Sequence, residues 1–443
     1  MVQRITVVGA GVSGRALALF AARRGARVFV TDCRDNLSAE TEELFKEAGV
    51  SWETRDHTER CCECDLMVVS SGISPRSKAV LMAKQTGIPV QGELDFLAPS
   101  LKGRIIAVTG TNGKTTCTSL IGHILKSNGV DVAVVGNIGE PLAAHAGEEH
   151  EALVMELSSF QLHWNSELKP DVAVLTNLAP DHIDWHGSYE NYIADKCKIF
   201  VPRAKECYAI VQERDAFRVP EGRSLCTLGK GPCHISIDGD AVMLVQDGAE
   251  RVLFQKNSLK LLGAHNLENA AMSTAAVALA FPDCDPAAGL EVFHAPRHRC
   301  EKVAERAGVL YVDDSKGTNV ASVITALRSI PGSKIVILGG QGKGESYDAL
   351  ADAVKEQTIA AIVLGSEAEK IIAALDAKEV KNVWRVKDMS EAVQKASEIA
   401  RPGDCVLLSP ACTSWDMYNN YEERGDHFAA LVRGLPPLTD GVV

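Results

Sequence analysis

A glycine-rich segment followed by a lysine and two threonines carries the strongest chemical signal in the sequence. It reads Gly110-Thr111-Asn112-Gly113-Lys114-Thr115-Thr116. It follows a short apolar run at 105–108 and leads into a helical pattern. Backbone N–H groups of such a loop, together with the start of the helix, bind phosphate oxygens. Lys114 would reach the β- and γ-phosphates, and the Thr115 hydroxyl would ligate Mg²⁺.

The spacing of this loop departs from the usual phosphate loop, because Val108 stands where the first glycine belongs. The alternative is a plain glycine turn before a helix. We disfavour it because Gly-Lys-Thr-Thr after a strand serves no packing need. The segment therefore predicts a nucleoside triphosphate site in an α/β sheet.

A second glycine loop lies near the N-terminus, between a strand at 4–8 and a helix at 15–24. It reads Gly9-Ala10-Gly11-Val12-Ser13-Gly14, and Asp32 follows the next strand. The pattern taken alone indicates NAD binding, with Asp32 on a ribose. A tight turn without a ligand is the alternative. The loop at 70–75 should lie at the carboxyl edge of the same sheet, where open α/β sheets bind ligands.

Two acidic positions in the middle of the chain also end apolar strands. Glu156 interrupts the apolar run 152–157, and a buried acid is costly unless it is paired or binds a metal. A metal-ligand role for Glu156 therefore outweighs a core carboxylate bonded to backbone. Asp181-His182 follows a strand at 172–176. Tyr192 and Lys196 are four residues apart in a helical pattern, so they share a face.

The last third of the sequence alternates strands and helices, as in a doubly wound sheet. Its strand-end loops are 313–319, 339–343 and 409–414. All three should fall on one edge, because parallel strands end together. Their lysines and hydroxyls suit a small anionic substrate. The segment 207–262 is poor in helix and predicts small antiparallel strands.

Bulk properties limit the class of protein. The chain has 443 residues, a formal net charge of −12 and 13 cysteines. The length predicts two or three domains. The negative charge argues against a broad nucleic-acid or membrane surface, and no apolar run is long enough to span a bilayer. The scattered cysteines suggest a reducing cytosol. Cys61-Cys62-Glu63-Cys64 is interpreted as a solvated stretch of free thiols and not as a metal site.

These motifs together resemble the Mur ligase family over essentially the whole chain. The matching segments are 110–116, Glu-Leu-Ser-Ser-Phe-Gln (156–161), Asn-Leu-Ala-Pro-Asp-His (177–182), His-Asn-Leu-Glu-Asn (265–269) and His298-Arg299. The loops 314–319 and 408–415, with Tyr421-Glu-Glu-Arg424-Gly, are similar to those of the members that use D-glutamate. Other Mur ligases and folylpolyglutamate synthases differ in these last loops.

The resemblance implies three α/β domains and an ATP-dependent amide-forming ligase. A Rossmann-like domain (1–94) would hold UDP-sugar phosphates and not NAD. A central ATP-binding domain (95–297) would combine a parallel sheet with a small antiparallel part, and a Rossmann-like domain (298–443) would bind the amino acid. ATP would activate the carboxylate of UDP-N-acetylmuramoyl-L-alanine as an acyl phosphate, which the amine of D-glutamate attacks.

The resemblance also implies residue roles. Catalysis would use Lys114, His182 and Lys196. ATP would be bound by Gly110, Thr111, Asn112, Gly113, Lys114, Thr115, Thr116, Asn269, Arg299 and Asp314. The UDP substrate would be bound by Ser13, Asp32, Arg34, Ser70, Gly72, Asn137, Ser158 and Gln161. D-glutamate would be bound by His182, Lys316, Thr318, Lys343, Ser414 and Tyr421. Two Mg²⁺ ions would use Thr115, Glu156, His182 and Lys196, with Lys196 carbamylated; Lys198 is the competing register.

Three other interpretations remain to be separated from this one. An NAD-dependent dehydrogenase would leave the Gly-Lys-Thr-Thr loop unexplained. A nucleotide-gated binding protein would not explain Glu156, His182 and Lys196 together. A sister ligase would add a different amino acid. We expect a cytoplasmic monomer that acts on small molecules, without nucleic-acid or membrane partners.

The phosphate-loop interpretation makes a direct prediction. Replacing Lys114 with alanine removes the cation expected at the β- and γ-phosphates, so ATP turnover should fall by about 10²–10³-fold. Phosphate release from MgATP measures this. A Lys114→Ala protein that hydrolyses ATP at the parental rate would refute the interpretation.

Overall fold

The computed structural model describes residues 2–202, 207–261, 263–294, 297–330 and 332–436. Ala295 and Pro296 of the predicted second boundary, and residues 437–443 of the predicted third domain, lie outside these ranges. The chain forms two compact units. The first comprises Met1–Leu178, Glu190–Ser258 and Ala270–Leu290, and the second comprises Ala179–Tyr189, Leu259–Asn269 and Glu291–Val443.

The N-terminal part of the first unit is built on a parallel sheet of five strands, in the order β3-β2-β1-β4-β5. The strands are β1 (Arg4–Val8), β2 (Arg27–Thr31), β3 (Ser51–Glu53), β4 (Leu66–Val69) and β5 (Val90–Gly92). The helices are α1 (Val12–Arg23), α2 (Ala39–Glu47), α3 (Lys78–Gln85) and α4 (Glu93–Leu97). Strands β1 and β4 are apolar and buried at nearly every position, as expected for a parallel sheet covered on both faces.

The middle of the chain forms a nine-stranded sheet in the order β14-β13-β12-β11-β10-β9-β6-β8-β7. The strands are β6 (Arg104–Thr109), β7 (Val132–Gly136), β8 (Ala152–Glu156), β9 (Val172–Leu175), β10 (Tyr208–Gln212), β11 (Ser224–Leu228), β12 (Cys233–Asp238), β13 (Ala241–Gln246) and β14 (Ala249–Gln255). The helices are α5 (Lys114–Ser127), α6 (Leu142–His145), α7 (Ser159–His163), α8 (Ile183–His186), α9 (Tyr189–Cys197) and α10 (Ala264–Ala280).

The second unit is built on a six-stranded sheet in the order β15-β16-β20-β17-β18-β19. Only the edge strand β15 runs antiparallel to its neighbour. The strands are β15 (Glu301–Arg306), β16 (Val309–Asp313), β17 (Lys334–Gly339), β18 (Thr358–Leu364), β19 (Val383–Arg385) and β20 (Cys405–Leu408). The helices are α11 (Val320–Ser329), α12 (Asp348–Gln357), α13 (Ala368–Ala377), α14 (Met389–Ile399) and α15 (Tyr421–Gly434).

The core of the first unit runs without a break from the five-stranded sheet to the nine-stranded sheet. One cluster of buried side chains includes Val7 and Phe45 from the first sheet and its helices, Leu94 from α4, and Ala107 and Leu153 from the second sheet. The predicted α/β class with three domains is confirmed by these three sheets. The boundaries at 94 and 297 stay predictions. Among the described residues, no helix has the length and apolar character that a bilayer span requires.

Two local predictions are wrong. Cys61 and Cys64 are free, but they are buried (0% and 8% exposed) in a core cluster with Val8 and Met67, not solvated. A short 3₁₀ turn at Glu59–Cys62 directs them inward, which the charged neighbours in sequence conceal. The predicted antiparallel segment begins only at β12, because β10 and β11 pair in parallel with the main sheet.

The glycine loop after β1 is closed by direct backbone contact. A Cβ added to Gly14 would lie 1.9 Å from the carbonyl oxygen of Gly9, whereas one added to Gly11 would meet nothing within 4 Å. Helix α1 therefore packs against its own entry loop only if residue 14 has no side chain.

We expect Gly14→Ala to destabilise the protein by about 1–3 kcal/mol, because an overpacked backbone contact must open. Gly11→Ala is the matched control and should leave stability nearly unchanged, since residue 11 has an ordinary negative φ of −66°. Thermal unfolding of both variants, followed by circular dichroism, measures the difference. Equal melting temperatures for the two variants would contradict the packing argument.

Candidate functional site

The phosphate loop connects β6 to α5, and its conformation depends on one glycine. Gly113 caps the N-terminus of α5 with φ = 84°, a left-handed conformation that favours glycine. The loop is held from the end of β9: Thr111 N–H donates to the carbonyl oxygen of Asn177 (2.9 Å), and Asn112 N–H donates to Oδ1 of Asn177 (3.0 Å). This backbone-fixed loop at a helix start suits phosphate oxygens.

Two lysines donate hydrogen bonds to the same carbonyl oxygen of this loop. Lys114 Nζ donates to the carbonyl oxygens of Gly110 (2.9 Å) and Thr111 (2.7 Å). Lys196 Nζ, on a side chain that is only 1% exposed, donates to Gly110 at 2.7 Å. The structure therefore brings two of the three predicted catalytic residues onto one loop. The third, His182, belongs to the second unit.

The predicted shared face of α9 is confirmed. Tyr192 Oη hydrogen-bonds with Thr111 Oγ1 at 2.9 Å, and its ring centroid lies 4.7 Å from Lys196 Nζ. Lys198 instead pairs with Asp195 (2.9 Å) and donates to the carbonyl oxygen of His163. Of the two competing lysines, only Lys196 is held by the phosphate loop in these contacts.

Glu156 ends β8 as a buried carboxylate with an unused oxygen. It is 1% exposed, its Oε1 accepts from Asn137 Nδ2 at 2.8 Å, and its Oε2 accepts no hydrogen bond from the described residues. A buried carboxylate oxygen without a donor is costly unless a cation satisfies it. Glu156, together with the nearly buried Thr115 hydroxyl, therefore fits a Mg²⁺ ion, which prefers oxygen ligands.

A chain of polar side chains links the two sheets of the first unit. Ser13 Oγ lies 3.3 Å from Ser71 Oγ, which donates to Oε1 of Glu93 (3.0 Å). Gln161 Nε2 donates to the same oxygen at 2.5 Å, and its own Oε1 accepts from the N–H of Ser158 at 2.9 Å. Burial raises the pKa of Glu93, and its hydrogen-bond donors oppose that rise. Three predicted UDP-substrate residues thus belong to one network.

Both carboxylate oxygens of Asp32 are engaged within the protein, where they bind the N-terminal glycine loop and Arg34. Its Oδ2 accepts from Ala10 N–H (2.6 Å), and both of its oxygens accept from the guanidinium of Arg34 (2.8 and 3.0 Å). Burial acts to raise the pKa of Asp32, but the Arg34 side chain and the two backbone N–H groups outweigh burial and lower the pKa to about 2. Ser70 lies in the same loop region and donates to the carbonyl oxygen of Val8 at 2.9 Å, and Gly72 has φ = 85°.

In the second unit, the carboxylate of Asp181 contacts residues from two strand-end loops. Lys343 Nζ lies 3.1 Å from its Oδ1 and 3.4 Å from Thr318 Oγ1, while Asn319 Nδ2 donates to its Oδ2 at 3.3 Å. The adjacent His182 has φ = 52°, and its Nε2 lies 3.6 Å from Oδ2 of Asp181. Predicted D-glutamate residues from three segments therefore meet at one carboxylate.

Glu345 lies beside this cluster, and its pKa is raised close to neutral pH. Burial and the negative charge of Asp181 raise its pKa to about 7, against the N–H of Val320 and the charge of Lys343.

The predicted ATP residues of the second unit divide into two places. Asp314 is 1% exposed, accepts from Ser409 Oγ (2.7 Å) and lies 3.9 Å from Arg299 Nη1. Burial raises the pKa of Asp314 to about 6, although Arg299 and Ser409 oppose the shift. Asn269 lies on α10, where its Nδ2 donates to Asn266 Oδ1 at 3.3 Å.

Arg424 fastens the strand-end loops of the second unit to one another. Its guanidinium donates to the carbonyl oxygens of Ser315 (2.8 Å), Cys412 (3.1 Å) and Thr413 (3.2 Å), and to Ser315 Oγ (2.9 Å). Thr413 and Gln341 in turn exchange backbone hydrogen bonds at 2.9 and 3.0 Å. Burial lowers the pKa of Arg424 to about 10. The prediction that these three loops share one edge is confirmed.

The remaining predicted D-glutamate residues lie beside these loops. Lys316 Nζ lies 5.3 Å from the ring centroid of Tyr421, a cation–π distance. The carbonyl oxygen of Tyr421 accepts from Ser315 Oγ at 2.8 Å, and Ser414 is 2% exposed. The Tyr421 ring therefore lies near a loop lysine, and its backbone is bonded to a loop serine.

The sequence analysis missed four residues that position the sites: Ser71, Glu93, Asn177 and Arg424. Asn177 and Arg424 stand inside recognised motifs, so their motif membership was an available signal. Ser71 lies in the loop 70–75, which the sequence analysis placed at a ligand-binding sheet edge. Glu93 offered no signal, because its hydrogen bonds join positions 22 and 68 residues apart.

The parallel sheets and the glycine loop define a phosphate-binding α/β protein. Comparison with known families makes this specific. Three family models match: the MurD N-terminal domain (residues 4–79), the Mur ligase middle domain (108–277) and the Mur ligase, glutamate ligase domain (298–412). A relative from Pelotomaculum thermopropionicum, named UDP-N-acetylmuramoylalanine--D-glutamate ligase, is 38% identical, and the match covers 98% of each chain. The chain belongs to the Mur ligase family.

Solved structures support the fold. The UDP-N-acetylmuramate-alanine ligase MurC from Thermotoga maritima has a TM-score of 0.60 at 18% identity, covering 97% of this chain and 99% of that one. The MurF ligase from the same organism, solved in complex with ADP, has a TM-score of 0.60 at 19% identity, covering 92% and 94%.

The Arg424 contacts lead to a prediction about the second unit. Lysine keeps the charge but has three donors in place of a planar fork, so Arg424→Lys should lose loop contacts worth about 1.5–3 kcal/mol. Amide hydrogen exchange at 313–318 and 409–414 should become roughly ten- to a hundredfold faster.

Arg433→Lys is the same substitution at an exposed position of α15 and serves as the control. Exchange in the two loops should not change in that variant. Equal protection in Arg424→Lys and Arg433→Lys would show that Arg424 does not hold the loops.

Proposed function

We propose that this protein is the ATP-dependent ligase that adds D-glutamate to UDP-N-acetylmuramoyl-L-alanine. The observation that carries the proposal is the phosphate loop with Lys114, Lys196 and the unpaired oxygen of Glu156 in one unit. It occurs in a chain that aligns along 98% of its length with a relative named for that reaction. The product would serve peptidoglycan precursor synthesis, and through it cell-wall biogenesis, cell shape and cell division.

The reaction needs activation because a carboxylate is a poor electrophile. The substrate carboxylate attacks the γ-phosphorus of ATP, which forms an acyl phosphate and releases ADP. The D-glutamate amine then attacks the acyl carbon, phosphate leaves with the C–O bond electrons, and the amine loses a proton. Phosphoryl transfer of this kind depends on positioning and charge neutralisation and needs little covalent help from the protein.

The first unit supplies the groups proposed for the phosphates of ATP. The N–H groups of residues 110–116 and the Lys114 ammonium would bind the phosphates, and Thr115 and Glu156 would hold Mg²⁺. When bound, Mg²⁺ neutralises charge on the phosphoryl oxygens. The ADP in the related MurF structure supports nucleotide binding in this fold. Asn269, Arg299 and Asp314 are proposed for the adenine and ribose.

Lys196 is proposed to act as a carbamate at a second Mg²⁺ site with His182. An ammonium cannot ligate a cation, whereas a carbamate offers oxygen donors. The burial of Lys196 beside the phosphate loop supports this role, since it places the side chain next to the loop proposed to bind the phosphates.

Substrate roles are proposed from the remaining clusters. Ser13, Asp32, Arg34, Ser70, Gly72, Asn137, Ser158 and Gln161 would bind UDP-N-acetylmuramoyl-L-alanine. His182, Lys316, Thr318, Lys343, Ser414 and Tyr421 would bind D-glutamate. Asp181 offsets the charge of Lys343 at 3.1 Å, so a second carboxylate would have to compete for that ammonium. A cytoplasmic monomer acting on small molecules completes the proposal.

The test is phosphate release with MgATP and UDP-N-acetylmuramoyl-L-alanine, with one amino acid added at a time. Release that requires D-glutamate supports the proposal. Release that requires L-lysine or meso-diaminopimelate would assign a sister ligase, and no release with any acceptor would favour a binding protein. Binding of NADH would revive the dehydrogenase interpretation.

The carbamate proposal gives a separate prediction. Lys196→Arg keeps a cation but cannot form the carbamate, so ligase turnover should fall by at least about 10²-fold. Lys198→Arg is the matched control and should retain activity, because Lys198 is engaged by Asp195.

Carbon-13 bicarbonate should label the parental protein and Lys198→Arg at one lysine, and it should leave Lys196→Arg unlabelled. Labelling that persists in Lys196→Arg would contradict the assignment.

A further inference from the structure

Two histidines and three carboxylates form a cluster at the other end of the central sheet from the phosphate loop. The histidine cluster consists of Asp131, Glu140, His145, Glu148 and His150, and it belongs entirely to the first unit. Asp131 directly precedes β7, and His150 lies two residues before β8. Asp131 and His150 therefore lie where these parallel strands begin, whereas the phosphate loop follows the carboxyl end of β6. The proposed ligase reaction does not use it.

Three possible metal-ligand atoms of the cluster lie close together. His145 Nδ1 lies 3.2 Å from His150 Nε2, and Glu148 Oε2 lies 3.3 Å from each of these nitrogens. Ligands of a tetrahedral Zn²⁺ ion at about 2.0–2.2 Å stand roughly 3.3–3.6 Å from one another. The three atoms thus form a nearly equilateral triangle of the size that such an ion requires on one face.

The outer nitrogens of both rings are bound by further carboxylates. His145 Nε2 lies 3.0 Å from Glu140 Oε2, and His150 Nδ1 lies 3.2 Å from Asp131 Oδ2. A neutral imidazole has one N–H, and a carboxylate at the outer nitrogen favours the tautomer that carries the N–H there and leaves the inner nitrogen as a metal ligand. This is the carboxylate–histidine–metal pattern of protein zinc sites.

We propose that the histidine cluster binds one divalent transition-metal ion, of which Zn²⁺ is the best fit. The ligands are His145 Nδ1, His150 Nε2 and Glu148 Oε2, with water at the fourth position, and Glu140 and Asp131 orient the rings. Imidazole nitrogens favour Zn²⁺, Co²⁺ or Ni²⁺ over Mg²⁺, so this site is chemically distinct from the ATP site. The bound ion would cross-link residues 145–150, in the connection between β7 and β8, and stabilise that segment.

The experiment is titration of chelator-treated full-length protein with Co²⁺ at pH 8. Visible absorption reports the ligands: nitrogen and oxygen ligation gives d–d bands without the thiolate charge-transfer band that the cysteines would produce. We expect one equivalent of Co²⁺ to bind and to give d–d bands without the thiolate band. Zn²⁺ should displace the Co²⁺, and excess Mg²⁺ should leave it bound. Zn²⁺ should also raise the melting temperature.

Variants assign the ligands. The double variant His145→Ala/His150→Ala should lose the site, with binding at least about 100-fold weaker. The isosteric Asp131→Asn leaves all three ligands and should weaken binding by about tenfold, because only the ring orientation is affected. His234→Ala removes a histidine whose ring contacts only the Gly231 carbonyl oxygen in the described contacts, and it should bind as the parent does.

Three results would overturn the proposal: no bound equivalent in the parent, a thiolate spectrum, or parental affinity in the double variant. If the double variant fails to fold, parental affinity and spectrum in Asp131→Asn would overturn it. None of these measurements uses ATP or amino acids, so failure of the ligase proposal would not change their outcome.

Discussion

Two lysine ammonium groups donate to one carbonyl oxygen, and the arrangement of the nucleotide loop depends on this contact. Lys114 comes from the helix that follows the loop, whereas Lys196 comes from a helix 86 residues further on than Gly110. Both ammonium groups thereby converge on the loop that is proposed to bind the phosphates of ATP.

A second long-range connection, through Glu93, gives the first unit its continuity. The carboxylate lies at the start of the short helix after the first sheet and accepts hydrogen bonds from both sides, from Ser71 and from Gln161. Gln161 also closes a capping box with Ser158. Side chains that would bind different portions of one substrate are therefore connected through one buried carboxylate. The apolar core of the first unit also joins the two sheets without a break.

Sequence reasoning succeeded where a local pattern has a local physical cause. The strands predicted at 4–8 and 172–176 formed at 4–8 and 172–175, because buried parallel strands need largely apolar sequence. The three loops of the last third could be placed on one edge because parallel strands of one sheet end together. Edge strands such as Ser51–Glu53 and Glu301–Arg306 were not predicted, because half-exposed strands lack an apolar run. The contacts of Asp181, Glu93 and Arg424 could not be predicted, because only the folded chain brings their partners together.

Arg424 has a consequence for how this protein could change over evolutionary time. One guanidinium holds the loops after β16 and β20, and the second of these holds the loop after β17 through paired backbone hydrogen bonds. The three loops are therefore coupled in position. Because the contacts are mostly to main-chain groups, a loop exchanged for that of a related ligase could keep them only if its backbone followed the same path. A change in the acceptor amino acid proposed to bind there would therefore affect the backbone positions of all three loops.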